Sequence, residues 1–208
     1  GATLRENRID SPILVFNVFA EEVDKIVRYN LSSVVTSLEL ASALNRAGAG
    51  SKKIPVHVKM DTGMGRSGVW VEDALPFIEQ VMCVPNLYVE GVMTHFSSAD
   101  DPTADEYTRG QIQRFERLLA ALKARGISVP CIHAANTSAL VRFPETHYTM
   151  VRPGLGIYGM YPSPAVRKLI SLEPVITFCT KIVQIKEHPP GRCISYNRRF
   201  VTDRQCRI

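Results

Sequence analysis

Alternating apolar and polar residues mark short segments of the chain at regular intervals. The clearest is VHVKMD at 56–61, where Val56, Val58 and Met60 alternate with polar residues. Because successive side chains of a strand point to opposite faces, this alternation is typical of a β-strand. Together, the alternating and continuous apolar segments predict six strands, at 12–18, 32–36, 54–60, 87–94, 129–134 and 149–152.

Helical periodicity separates these strands. In the longest such segment Ile112, Phe115, Leu119 and Leu122 follow one another at three or four residues and form one apolar face. Residues of capping type precede this segment and a glycine follows it, which favours a helix with defined ends. The pattern predicts four helices, at 20–29, 38–46, 71–82 and 104–125.

The alternation of strands and helices predicts an α/β fold with a parallel sheet. The six units take roughly 28 residues each, whereas a complete (β/α)8 barrel takes about 250 residues. We therefore expect a TIM-type (β/α)8 barrel represented by about strands 3–8, with the first two units missing. An open doubly wound sheet is the alternative, but its GxGxxG fingerprint is absent.

The character of the sequence changes after Pro162. β-Branched alternation replaces the helical period, and a Pro-Pro-Gly turn follows at 189–191. We expect a partial (β/α)8 barrel over 1–165 and the beginning of a C-terminal β domain over 166–208. About two strands are too few for an independent β domain, so both ends of the chain look cut.

The composition argues against nucleic-acid binding, a membrane span and a signal peptide. The net charge of +5 is mild, and the basic residues near the C-terminus lack the interleaved aromatics that stack on bases, which argues against nucleic-acid binding. No apolar run is long enough to cross a membrane, and the start of the chain is not a signal peptide. Five cysteines without a CxxC pair indicate reduced thiols and a cytoplasmic location.

The residues that could bind a ligand or take part in catalysis lie at the ends of the predicted strands. Because the carboxyl ends of parallel strands meet at one edge of a sheet, polar residues there should converge in space. We expect no metal among them, and we expect an anionic small molecule as the ligand. These residues follow the third to sixth strands: Lys59, Asp61 and Arg66; His95; His133, Asn136, Thr137 and Ser138; Arg152, Gly154 and Gly156.

The last two strand ends suggest a phosphate site. Many barrels bind phosphate with the loops after their final two strands, through backbone N–H groups and a helix N-terminus. Asn136 and Thr137 are of capping type, and Gly154 allows a close backbone approach. Taken singly, each of these residues is better explained as an ordinary helix cap or turn. Together, at matched strand ends, they favour a binding site.

Five motifs in this order carry a resemblance to a known family: VKMDTGMGRSG, THFSSAD, HAANTSA, VRPGLGIYG and ISYNRRF. Together they resemble alanine racemase, a fold-type III pyridoxal-phosphate enzyme with an N-terminal (β/α)8 barrel and a C-terminal β domain. The resemblance runs through the whole chain, and DTGMGR combined with VRPGLGIYG is highly specific. It also accounts for the six barrel units and the short β segment.

The resemblance implies a binding site for pyridoxal 5'-phosphate. Arg152 would meet the pyridine nitrogen, and because a guanidinium does not give up its proton, that nitrogen would stay unprotonated. His95 would orient Arg152. The phosphate would be held by Thr137, Gly154 and Leu155, with Asn136 beside them.

The resemblance also implies two bases and a homodimer. Tyr196 would remove the Cα proton of L-alanine and would act in the site of the partner subunit. A free phenol has a pKa near 10, so such a base needs nearby positive charge. Members of the family often have Gly after this tyrosine, where this chain has Asn197. Asn also tolerates left-handed backbone geometry.

The lysine that binds the cofactor covalently lies in a motif resembling KANAYGHG, which does not occur in this chain. Lys59 instead matches a family lysine that is often carbamylated and holds Arg66. Arg66 in turn would contact the cofactor's phenolic oxygen and the substrate carboxylate. We therefore expect this chain on its own to be inactive.

The resemblance implies a racemase that interconverts L-alanine and D-alanine and supplies D-alanine for the cell wall. A serine or broader-specificity racemase is an alternative on the same framework. A non-catalytic pyridoxal-phosphate-binding barrel is another, although such a protein has no need of Tyr196 as a base.

Overall fold

The computed structural model describes residues 1–208, which divide into two compact units, Gly1–Pro174 and Val175–Ile208. The sequence-based boundary between 165 and 166 falls inside the first unit. The strands of that unit are β1 (Leu14–Val15), β2 (Ser32–Val35), β3 (Ile54–Asp61), β4 (Val69–Trp70), β5 (Leu87–Met93), β6 (Cys131–Asn136) and β7 (Met150–Arg152). Its helices are α1 (Ala2–Glu6), α2 (Val23–Arg28), α3 (Leu38–Ala47), α4 (Ala74–Met82), α5 (Asp105–Ala124), α6 (Thr137–Arg142), α7 (Gly154–Ile157) and α8 (Pro164–Arg167).

All strands of the first unit pair in parallel, in the order β1-β2-β3-β5-β6-β7, with β4 on the end of β3. Apart from β4, each strand lies beside its predecessor in the chain. A doubly wound sheet reverses its strand order at a switch point, and no reversal occurs here. The sheet is therefore wound in one direction, as in a (β/α) barrel, and the doubly wound alternative is wrong.

The six predicted strands are all present. The prediction omitted β4 and the helices α1, α6, α7 and α8, because elements of two to six residues are too short to show a period. Helix α4 begins at Ala74 rather than at 71, and a 3-10 turn over Ala20–Glu22 precedes α2.

Both faces of strand β3 are buried. On the outer face, Val56, Val58 and Met60 are fully buried in a hydrophobic core shared with the helices. Phe115 and Leu122 of α5 belong to the same core, which confirms the apolar face predicted for that helix. No helix of the structure combines the length and the apolar composition that a membrane span requires.

Helix α5 also fixes two loops that follow strands. Gln111 is fully buried, and its Oε1 accepts a hydrogen bond from Ser97 N at 3.1 Å. Its Nε2 donates to His95 O and to Thr62 Oγ1, both at 3.3 Å. Arg114 Nε donates to Thr62 O at 2.7 Å. The loops after β3 and β5 are therefore held to the same helix.

The second unit contains four strands of two residues, β8 (Glu187–His188), β9 (Cys193–Ile194), β10 (Phe200–Val201) and β11 (Cys206–Arg207). They form two antiparallel pairs, β9 with β10 and β8 with β11. Buried Thr202 donates to Pro189 O at 2.7 Å and accepts from Arg192 N at 2.9 Å. The β-branched segment at 175–186 forms no strand, and Val183 within it is 97% exposed. Without a neighbouring strand to accept its hydrogen bonds, alternation alone does not make a strand.

Candidate active site

A glycine-rich turn follows β3, and Asp61 organises it. The Asp61 carboxylate accepts hydrogen bonds from the backbone N–H groups of Gly63 at 2.8 Å, Met64 at 2.7 Å and Arg66 at 3.1 Å. Gly63 and Gly65 have φ of 131° and 67°, which strain any residue with a Cβ. The turn delivers the exposed side chain of Arg66 at the carboxyl end of the strand.

The charge of Asp61 is needed for this turn. Burial alone raises the pKa of its carboxyl, but the backbone N–H groups around it favour the charged form and bring the pKa below its ordinary value. Because the folded pKa is lowered, the carboxylate stabilises the fold above about pH 3.8, and that contribution is lost as the pH falls through the folded pKa.

Replacing Asp61 by asparagine is expected to lower the free energy of unfolding by about 1–3 kcal/mol at neutral pH. The new amide nitrogen would face a backbone N–H, so two donors would meet where a charged acceptor now lies. Urea unfolding of the intact protein measures the loss. The loss should shrink as the pH falls from about 3.8 to below the lowered folded pKa, where the wild-type carboxylate is protonated in the folded protein as well. Asp73→Asn is the control, because Asp73 is exposed and its side chain caps no backbone group. Equal stabilities of the two variants would show that the turn does not depend on the Asp61 charge.

Lys59 lies on the inner face of β3 and is 7% exposed. Its ammonium donates a hydrogen bond to Ser67 Oγ at 2.6 Å, on the far side of the glycine-rich turn. Burial lowers the pKa of Lys59, and the charge of Arg66 lowers it further. Lys59 therefore lies within electrostatic range of Arg66, as its predicted role requires, and the predicted carbamylation stays a prediction.

Arg152 ends β7 and is the hub of the site. Its Nη1 donates to His133 Nδ1 at 2.7 Å, and its Nη2 donates to Thr94 O at 2.7 Å and to Ala134 O at 2.8 Å. These partners belong to β6 and to the end of β5, so the guanidinium is fixed across neighbouring strand ends. Burial lowers the pKa of Arg152 to about 10, so the side chain stays charged at neutral pH.

His95 lies beside this guanidinium, with its Nδ1 3.3 Å from Arg152 Nη2. Burial lowers the pKa of His95 to about 4, and the charges of Arg152, Arg66 and Lys59 contribute in that order. The imidazole is therefore neutral at physiological pH and accepts a hydrogen bond at Nδ1. Because all three charges lower the pKa of His95, Arg152, Arg66 and Lys59 lie around the same imidazole ring.

Three residues that could ligate a metal also lie in the barrel interior. The ligand atoms of His57, Cys131 and His133 lie within 4.8 Å of one another. However, His57 Nδ1 and His133 Nε2 are hydrogen-bonded at 2.7 Å, and Arg152 donates to the other nitrogen of His133. A metal on His133 Nε2 would require a proton on Nδ1, facing the Arg152 donor. The hydrogen bonds therefore favour a polar network over a metal centre.

The predicted phosphate residues meet at the ends of β6 and β7. Asn136 Oδ1 caps α6 by accepting from Ala139 N at 3.0 Å, so its oxygen has the ordinary capping role. Thr137 is buried, and its Oγ1 accepts from Gly156 N at 3.1 Å. A Cβ built on Gly154 meets nothing within 4 Å, so the space beside that backbone is open. Leu155, the next residue, is 45% exposed.

Tyr196 lies in the second unit and is 92% exposed. It begins a 3-10 turn, Tyr196–Arg198, in which Asn197 has φ 59° and ψ 6°. Asn197 therefore adopts the left-handed conformation that asparagine tolerates. The neighbouring Ser195 and Arg198 also have positive φ, of 58° and 52°. The Tyr196 side chain is therefore exposed to solvent and does not pack into the second unit.

Sequence reasoning did not assign a role to His133 or Ser67. His133 was noted only as a strand-end residue, yet it makes a 2.7 Å hydrogen bond to Arg152, shorter than that of His95. The sequence does indicate such a role, since the segments VHV and IHA each place a histidine within an apolar strand, where it needs a polar partner. Ser67 gave no signal, because its contact with Lys59 depends on how the turn folds back.

Comparisons with known proteins agree with this geometry. The family described as "Alanine racemase, N-terminal domain" matches residues 1–162. The alanine racemase of Carboxydothermus hydrogenoformans is 44% identical over 98% of this chain and 56% of its own length. The chain thus spans about half the length of the curated relatives it matches.

Solved structures of alanine racemases are also similar to this chain over about half of their length. An alanine racemase of Clostridium difficile 630 superposes with a TM-score of 0.87 at 31% identity, over 99% of this chain and 55% of that one. A Bacillus anthracis alanine racemase with bound L-Ala-P has a TM-score of 0.82 at 30% identity, over 99% of this chain and 54% of that one. These similarities confirm the predicted fold class, part of a TIM-type barrel. The chain belongs to the family of the alanine racemase N-terminal domain.

Proposed function

We propose that the protein carrying this chain is a pyridoxal-phosphate-dependent racemase that interconverts L-alanine and D-alanine. The observation that carries the proposal is Arg152, a half-buried and fully charged guanidinium held by two carbonyls and a neutral imidazole at the carboxyl ends of the strands. A cation that does not give up its proton can only donate to a ligand atom, and a pyridine nitrogen is an acceptor.

The donor set fits the cofactor. Thr137 is buried and the space beside Gly154 is open, so a phosphate could lie against the backbone N–H groups of Gly154 and Leu155. Arg66 and Arg152 supply positive charge, and the Asp61 carboxylate is already used by its own turn. When bound, the cofactor supplies the electron withdrawal that acidifies the Cα–H bond of an amino acid.

The residues around that space have separate tasks in this proposal. Arg152 holds the ring nitrogen unprotonated, and His95 supports Arg152 as a neutral acceptor. Arg66 is exposed on its glycine-rich turn and makes no side-chain hydrogen bond in the structure, so its guanidinium is available to a substrate carboxylate. Lys59, carbamylated, would hold Arg66 by opposite charge. Asn136 supports the phosphate site by capping α6.

Tyr196 is proposed as the base that takes the Cα proton of L-alanine, in the site of the partner subunit of a homodimer. Its high exposure supports this role, because a residue that serves a neighbouring subunit must project from its own. A lysine outside the motifs of this chain would be the second base. We further propose a cytoplasmic enzyme that supplies D-alanine for the cell wall, in keeping with five unpaired cysteines.

The test is a racemisation assay on the intact protein loaded with pyridoxal 5'-phosphate. We expect L-alanine to give D-alanine, and L-serine to react at least about tenfold more slowly, since discrimination against one added hydroxyl in a small pocket is of this order. Chiral chromatography of the products measures both rates. Comparable rates with serine would favour the broader-specificity alternative, and cofactor binding without any racemisation would favour a non-catalytic barrel.

A further inference from the structure

A chain of hydrogen bonds crosses the interior of the sheet beneath the site. It links side chains on five strands that are neighbours in space, β2, β3, β5, β6 and β7. Arg152 contacts His133 at 2.7 Å, His133 contacts His57 at 2.7 Å, and His57 contacts Glu90 at 3.2 Å. Ser32 Oγ donates to the same Glu90 oxygen at 3.1 Å. The chain begins at a cation and ends at an anion.

The direction of these bonds is fixed at both ends. A guanidinium only donates, so His133 Nδ1 must accept and His133 carries its proton on Nε2. That proton is donated to His57 Nδ1, which leaves the His57 proton on Nε2, where the Glu90 carboxylate accepts it. Each imidazole therefore has one tautomer that satisfies both of its neighbours, and the two tautomers depend on one another.

Burial supports the neutral form of both rings. His133 is fully buried and His57 is 4% exposed. Burial lowers the pKa of each and, for His57, outweighs the Glu90 carboxylate, which raises the pKa. The Arg152 charge lowers the pKa of both rings further. The His57 ring lies directly against Gly91, where an added Cβ would overlap it. A glycine at this point of β5 is therefore required for the ring to reach both of its partners.

We propose that Glu90, His57 and His133 are positioning residues for Arg152. The Glu90 carboxylate orients His57, His57 orients His133, and His133 keeps a lone pair aimed at the Arg152 guanidinium. The assignment rests on the proposed function in one respect, since it takes Arg152 as the group that meets the cofactor ring. The tautomers themselves are properties of the protein alone.

Glu90→Ala and Glu90→Gln in the intact protein test the proposal. Glutamine keeps an oxygen that accepts from His57 Nε2, whereas alanine removes it. Two-bond ¹H–¹⁵N spectra, recorded with and without cofactor, should show both histidines as Nε2–H in the wild type and in Glu90→Gln. In Glu90→Ala, His57 keeps its Nε2–H tautomer, because His133 still donates to its Nδ1, but the Nε2–H group loses its acceptor. That proton should then exchange with solvent faster than in the wild type, and the dissociation constant for pyridoxal 5'-phosphate should rise about tenfold. Glu90→Gln should stay within about twofold of the wild type.

Glu79→Ala is the matched control, because Glu79 pairs with Arg125 on the surface at 2.8 Å and has no link to the site. A wild-type His133 or His57 found as Nδ1–H or as the imidazolium would overturn the proposal, as would equal effects of Ala and Gln at position 90. Because the spectra of the cofactor-free protein need no racemase activity, this failure is distinguishable from failure of the proposed function. Glu90 is only half-buried, so both variants should fold, and thermal unfolding verifies this.

Discussion

Replacing Arg152 by lysine is expected to lower racemase turnover by about a hundredfold, the cost typical of losing one preorganised donor in an active site. The substitution keeps the positive charge but removes the planar fork that reaches His133 Nδ1, Thr94 O and Ala134 O together. A lysine ammonium can also transfer its proton to a ring nitrogen, which a guanidinium does not. Initial rates with saturating L-alanine and cofactor measure the effect.

The control for this substitution is Arg125→Lys, which changes the same residue type in an exposed ion pair with Glu79. It should leave turnover unchanged within the error of the assay. If Arg152→Lys retained more than half of the wild-type turnover while folding normally, the fork geometry would not matter and the assignment of Arg152 to the cofactor ring would fail. A loss of stability alone, with full turnover in the folded fraction, would give Arg152 a structural role only.

The sequence predicted the barrel because each strand and helix of adequate length shows its own period. The segments 54–60 and 87–94 became β3 and β5 nearly as predicted, and the helix expected at 104–125 became α5. Strand order follows from the same information, since consecutive βαβ units pack beside one another. What the period could not show were two-residue β4 and the short helices after β6 and β7.

The site was predicted in part, and the limit has a physical cause. Polar residues at strand ends can be found from sequence, because strand ends are predictable and parallel strands bring them together. Their partners cannot, because a hydrogen bond across the barrel depends on register. The bulge between His133 and Asn136 shifts the register of β6 against β7. Ser67 meets Lys59 only because the turn folds back at Gly68, where φ is 117°.

Lys59 illustrates the difference between a position and a role. Its place on the inner face of β3 followed from the alternation of VHVKMD. Its neighbours, Ser67 by hydrogen bond and Arg66 by charge, needed the structure. Because burial lowers the pKa of the Lys59 ammonium, a larger fraction of this amine is neutral than in an exposed lysine. A neutral amine is the form that reacts with carbon dioxide, so the observed burial supports the predicted carbamylation.

Replacing Tyr196 by phenylalanine is expected to slow exchange of the L-alanine Cα proton with solvent by about a thousandfold, within the usual range for a general base. Exchange from D-alanine should persist, because the opposite base acts on that face of the substrate. Deuterium uptake at Cα, followed by NMR separately for each enantiomer, is the measurement. Net racemisation is unsuitable, since enantiomers have equal free energies and the two directions must slow together. Tyr88→Phe, at an exposed tyrosine of β5 that makes no side-chain hydrogen bond, is the control.

Mixing the two damaged proteins tests where Tyr196 acts. In a dimer of one Tyr196→Phe subunit and one Arg152→Lys subunit, a phenol that reaches the partner's site restores one complete site, which combines Arg152 of the first subunit with Tyr196 of the second. Random mixing makes half of the dimers hybrid, so about a quarter of wild-type activity should return. A phenol that served its own subunit would leave every site with one defect, and mixing would recover nothing. Recovery would therefore support both assignments, whereas equal exchange losses from the two enantiomers would refute Tyr196 as a base specific for L-alanine.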